Sequence, residues 1–157
     1  MRRQKLDRTD LKILKKLQDN GRITNVELAE YAGISAPPCL RRVRSLENAN
    51  IIRGYSADIN PGSLGFGITV FTQVRMESNK DVDIKRFEEK VATFDMVREC
   101  HLISGDFDFL LKVVARDWDS YQHFLTNELA TTENVASVKT SPIVKTFKAL
   151  PGVPIDG

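Results

Sequence analysis

Arg41, Arg42 and Arg44, three arginines within four positions, are the residues whose type and spacing point most directly to a chemistry. A guanidinium is a planar fork of donors that pairs bidentately with a guanine edge or a phosphate, so a helix carrying several of them suits the major groove of DNA. Ser35 and Pro37 stand just ahead of this run and Arg53 follows it; Ser35 and Arg53 are the candidate contacts to the nucleic-acid backbone. A solvated charged face accounts for three arginines equally well, so the elements around them must decide. Asp106, Asp108 and His101 invite comparison with an acid–base cluster, but His101 falls in a strand pattern and His123 on a helix pattern. Neither is paired with a Ser or Cys nucleophile in a recognisable motif, so no enzyme is expected. Cys39 and Cys100 lie far apart without a CxxC pair or neighbouring histidines. They are read as buried reduced thiols, with no metal or disulfide framework.

The elements that position the arginines are legible by period. Leu11, Leu14 and Leu17 recur at helical spacing, with Asp7 as N-cap and Gly21 as the stop. Thr24-Asn25-Val26-Glu27 has the form of a capping box ahead of Leu28, Ala29 and Ala32, and Gly33 ends that short helix. Ser35 then caps a third helix whose first turn holds Pro37 and Pro38. Cys39, Val43 and Leu46 form its inner stripe and the arginines leave that stripe for the outer faces. Ile51 to Tyr55 reads as the start of a β-wing. A capped short helix, a glycine turn and a basic helix in that order favour a winged helix-turn-helix over a mere solvated face. Charge agrees: residues 1–60 hold twelve Lys/Arg against seven Asp/Glu, and the rest eleven against fourteen. A basic head on an acidic body is what binding to double-stranded DNA asks for.

Asn60-Pro61-Gly62 with Gly65 and Gly67 is rich in breakers, so the boundaries are set as a DNA-binding domain at 1–60, a linker at 61–67 and a second domain at 68–157. Ile68 to Met76 alternates as a half-buried strand. Ile84, Phe87, Val91 and Phe94 follow at helical spacing behind Asp83 as cap. Met96 to Ser104 and Phe109 to Ala115 make a hairpin about Gly105-Asp106, Trp118 to Leu129 is helical, and Val135 to Val144 is the last strand. The order βαββαβ is the ferredoxin-like, RAM/ACT-like arrangement: two helices on one face of an antiparallel sheet, the other face left for a partner subunit. The fold class is therefore α+β. No run approaches the roughly 18 apolar residues of a membrane span, and the N-terminus lacks a signal-peptide core, so a cytoplasmic protein is expected.

Several segments resemble the Lrp/AsnC regulators: Leu6-Asp7-Arg8, Gly21-Arg22-Ile23, Asn25 to Leu28, Pro38-Cys39-Leu40, Arg42-Val43-Arg44, and Glu99 to Leu102 running into Ser104 to Asp108. The resemblance covers almost the whole chain. It implies a transcription regulator that dimerises through the βαββαβ domain, assembles further to octamers or larger, and binds a free amino acid between dimers. It needs no other cofactor. It also implies that Ser104, Gly105, Asp106 and Asp108 lie at the effector site, with Leu102, Trp118, Ser141, Pro142 and Ile143 at matching positions. For such a ligand Gly105 allows close approach of a carboxylate to backbone amides and Asp108 accepts the ammonium group, while Leu102 and Ile143 favour leucine or a similar aliphatic side chain. Ordinary turn chemistry explains the two aspartates as well. Two alternatives stay open: an amino-acid-sensing module acting on a protein partner, and an AsnC-type regulator answering to a different amino acid.

Overall fold

Asp7 and Asp10 begin the first helix as a closed capping box, each carboxylate taking the other residue's backbone amide at 2.8 and 3.1 Å. In the computed structural model, which describes residues 5–156, this helix is α1, Arg8–Asp19. Asn20 is its C-cap, so the expected stop, Gly21, lies one position beyond the observed end. Thr24 and Glu27 close a second box at the start of α2, Asn25–Ala32, and Gly33 ends it with φ +74°, a left-handed turn that glycine adopts without a Cβ penalty. Helix α3, Ala36–Asn48, follows directly. Ile13 of α1, Leu28, Ala29 and Ala32 of α2, and Cys39 and Leu46 of α3 form the head's buried core. The expected wing does not become a strand: after α3 the amides of Ile51 and Ile52 both turn back to the carbonyl of Leu46, and 51–60 has no ladder partner among the described residues.

The chain divides into two units, one made of the described residues of Met1–Asp58 and Lys148–Gly157, the other of Ile59–Phe147. The sequence reading runs the second domain to 157. In the structure Gln18 of α1 clamps the backbone of Val153, donating to its carbonyl at 2.9 Å and accepting its amide at 3.0 Å. The stretch read as a linker carries a 3₁₀ turn, Pro61–Leu64, started by the Asn60 side chain, and Gly67 donates to the carbonyl of Arg116.

The second unit contains β1 (Ile68–Met76), α4 (Asp81–Val91), β2 (Val97–Leu102), β3 (Phe109–Ala115), α5 (Trp118–Phe124, continued by a π turn at Leu125–Leu129) and β4 (Val135–Pro142). All pairings are antiparallel in the order β2-β3-β1-β4, the split arrangement anticipated from element order. Lys80, not Asp83, is the N-cap of α4; Asp83 sits in the first turn and accepts the Ser78 hydroxyl. Val70, Val74, Leu111 and Val113 point to the helices and are fully buried with Phe87, Tyr121 and Phe124. Burying each such side chain is worth about 1.5–3 kcal/mol, which is what fixes the strand register, since a one-residue slip would turn the whole set outward. One polar thread runs through this face: the Tyr121 hydroxyl lies 3.0 Å from that of Thr72 and 2.8 Å from that of Thr140. On the other face the registers align Phe71 with Ser141, Gln73 with Leu110 and Lys139, and Glu99 with Lys112, and no helix of this unit covers them.

Cys39 is buried as expected, but Cys100 is exposed, because β2 is an edge strand and its residues from Arg98 to Leu102 stay open.

Candidate nucleic-acid interface and effector surface

Helix α3 presents Pro37, Leu40, Arg41 and Arg44 to solvent on one side, positions that fall together at a period of 3.6. Arg41, Arg44 and Arg53 are exposed and enter no ion pair among the described residues. Arg42 is different. Its Nη1 lies 2.7 Å from both the Asp7 and the Asp10 carboxylates, so it ties α3 to the first turn of α1. The carboxylates of Asp10 and then Asp7 push the guanidinium's pKa up further. The Asp7 carboxyl is in turn held below its ordinary value, first by the Asp10 amide and then by Arg42.

Ser35 occupies the N-cap of α3 but makes no capping bond. The amides that an N-cap hydroxyl normally receives are those of the second and third helical residues, here Pro37 and Pro38, which have none. The same absence removes two of the three first-turn donors that let a helix N-terminus hold a phosphate. The donors left exposed in this region belong to side chains: the Ser35 hydroxyl and the guanidinium groups of Arg41, Arg44 and Arg53.

The residues implied at an effector site separate into two groups. Leu102, Ser104, Gly105, Asp106 and Asp108 lie at the β2–β3 turn, where Phe109 pairs with Val74. Ser141, Pro142 and Ile143 lie at the opposite end, where Pro142 pairs with Val70 and the Ile143 amide bonds Thr69; Trp118 opens α5 just after Ala115, which pairs with Ile68. Ile68 and Val74 are six residue steps apart along β1, roughly 20 Å of strand. One chain therefore cannot close both groups around one small molecule.

Within the turn, Gly105 has φ +144° and open space where a Cβ would stand. Asp108 is already engaged: one carboxylate oxygen accepts the Met76 amide at 2.7 Å, beside the bulge in β1, and the other accepts Asn79 Nδ2 at 2.8 Å. Arg75 Nε donates to the Asp106 carbonyl at 3.1 Å. Arg75, Met76 and Asn79 are thus parts of the turn that the sequence reading missed, for their link to it spans about thirty residues and leaves no local pattern. Leu102 is 61% exposed and borders an open groove of about 500 Å³ between α4 and β2, with Val91, Phe94 and Phe109 at its floor. Trp118 is 47% exposed and stacks on Tyr121. His101 lies 3.5 Å from Glu99, and His123 faces Asn127; neither adjoins a nucleophile. Among the described residues no cluster of three or more metal-ligating side chains is found, and no helix is long and apolar enough to cross a membrane.

Two family models match the chain, one described as winged helix-turn-helix DNA-binding over residues 6–53 and one as the Lrp/AsnC ligand binding domain over residues 69–153. The chain is 49% identical over 146 residues to the leucine-responsive regulatory protein of Rhizobium meliloti (strain 1021), covering 93% of this chain and 94% of that one. It is 38% identical over 143 residues to the protein of the same name from Escherichia coli (strain K12), covering 91% and 87%. Among solved structures, a transcriptional regulator from Neisseria meningitidis in complex with L-Met matches with a TM-score of 0.93 at 36% identity, covering 97% of this chain and 98% of that one. AsnC of E. coli matches with a TM-score of 0.87 at 28% identity, covering 96% and 100%.

Proposed function

The chain belongs to the Lrp/AsnC family of DNA-binding transcription regulators, and from that premise we propose that it reads operators with Arg41 and Arg44 and answers to a free aliphatic amino acid, leucine first. The observation that carries the DNA side is the outer face of α3, where two arginines stand exposed and unpaired while their neighbour Arg42 is consumed inside the head. A solvated face serving only solubility gives no reason for that division. Ser35 and Arg53 flank this face as phosphate contacts, and Pro37 lies on it. The protein acts in the cytoplasm, where its DNA is, and carries no catalytic activity of its own.

On the effector side, the two groups of residues at opposite ends of the sheet form one pocket only if different copies supply them. This supports a site built between dimers: the turn of Ser104, Gly105, Asp106 and Asp108 with Leu102 from one copy, Trp118, Ser141, Pro142 and Ile143 from another. The uncovered sheet face supports dimers, and sites between dimers carry the assembly beyond the dimer, to an octamer or larger. The amino acid then acts by favouring one assembly, or one spacing of heads, over another. Leucine is the reading favoured by Leu102 and Ile143 and by the names of the relatives; the L-Met bound to the Neisseria meningitidis regulator makes methionine the second candidate.

The experiment is DNA binding at two salt concentrations with a panel of amino acids. Neutralising six to ten phosphates should cost roughly 10³ to 10⁵ in affinity between about 50 and 200 mM salt, and leucine or methionine should shift binding where asparagine and lysine do not. Salt-indifferent binding would instead favour a module working on a protein partner.

A further inference from the structure

The face of α3 that meets DNA is not uniformly basic. Leu40 is 39% exposed and stands between Pro37 and Arg41 on the outer side of the helix. The head's core takes Ala36 and Val43 from the same helix as partly buried neighbours, and among the described residues Leu40 is not one of them. Pro37 and Pro38 strip the amides from the first turn, and Ser35 makes no capping bond there. The leading end of α3 is therefore apolar, followed immediately by two free guanidinium groups.

In the major groove the base edges offer donors, acceptors and one apolar group, the C5-methyl of thymine. The N-terminal part of a recognition helix is the part that meets base edges. We propose that Leu40 is a specificity-determining residue that reads thymine methyl groups, next to the bases or phosphates held by Arg41 and Arg44. The assignment rests on the DNA-binding reading above and deepens it: the half-site places thymine where the leading end of α3 enters.

The test uses the full-length protein and a duplex that it selects from a randomised pool, synthesised once with thymine and once with uracil, which differs only by the methyl. Wild-type protein binds the uracil duplex about fourfold more weakly for each methyl that Leu40 covers. Leu40→Ala binds the two duplexes alike and keeps its steep salt dependence, while Leu40→Met, which retains an apolar side chain, keeps the thymine preference. Circular dichroism of both variants checks that the head is folded. Equal binding of the two duplexes by wild type, or a thymine preference that survives in Leu40→Ala, overturns the role of Leu40 and leaves the DNA-binding reading standing. Failure of the wild type to enrich any duplex overturns that reading and this one together.

Discussion

Arg41, Arg42 and Arg44 look equivalent in the sequence, and the structure separates them by partner. Arg42 spends its guanidinium on Asp7 and Asp10, residues 35 and 32 positions away, so no local pattern could have announced it. Arg41→Ala and Arg44→Ala should each weaken specific DNA binding by about 1–3 kcal/mol with little change in melting temperature. Arg42→Ala should lower the melting temperature while sequence preference, read by footprinting, stays the same; the reverse pattern would return Arg42 to the groove. The depressed Asp7 carboxyl adds a pH prediction. Its contribution to stability is full above its ordinary value of 3.8 and is lost as pH falls through the lower folded value, so Asp7→Asn should flatten the acid limb of a stability profile. Asp108 poses the same problem at the other unit, because its bonds to Met76 and Asn79 serve the fold. Asp108→Asn keeps an acceptor for the Met76 amide but removes the charge. It should therefore fold and, on the proposal that Asp108 receives the effector's ammonium, lose the response to the amino acid.

At the scale of elements, period and capping chemistry made nearly everything readable. The boxes at Asp7 and Thr24, the left-handed turn at Gly33 and the alternation of β1 and β3 all appear where the residues require them. The misses each have a partner or neighbour that local pattern does not carry. Ser35 lacks amides to cap because prolines occupy their positions. The wing gives way to a turn because the amides of Ile51 and Ile52 return to Leu46. Cys100 is open because β2 is an edge, and edge or centre is a property of strand order that one strand's sequence does not carry. The buried hydroxyl thread of Thr72, Tyr121 and Thr140 was equally invisible, since Tyr121 read only as an apolar helix position. Tyr121→Phe leaves two hydroxyls without that partner and should cost about 1–3 kcal/mol in a denaturant melt of the effector domain.

For the whole molecule, the sheet supplies both of the surfaces on which the proposed assembly depends. Its uncovered face aligns Phe71, Leu110 and Lys112 without a helix above them, and its two ends carry the two halves of the implied effector site. If copies pair through that face, Phe71→Lys should raise the dimer dissociation constant at least about tenfold, seen in sedimentation, because an unpaired ammonium would be buried. Composition made the division into a basic head and an acidic body legible, but not that the described residues beyond Lys148 belong with the head, a fact set by the clamp of Gln18 on Val153. The proposed coupling of DNA binding to a free amino acid in one protein is open to fluorescence anisotropy. Wild type and Asp108→Asn are titrated onto DNA from the gene's own upstream region at about 50 and 200 mM salt, with and without L-leucine. Steep salt dependence is expected in both proteins, and a leucine effect in the wild type alone. Binding that ignores salt, or a leucine effect undiminished in Asp108→Asn, would contradict that coupling.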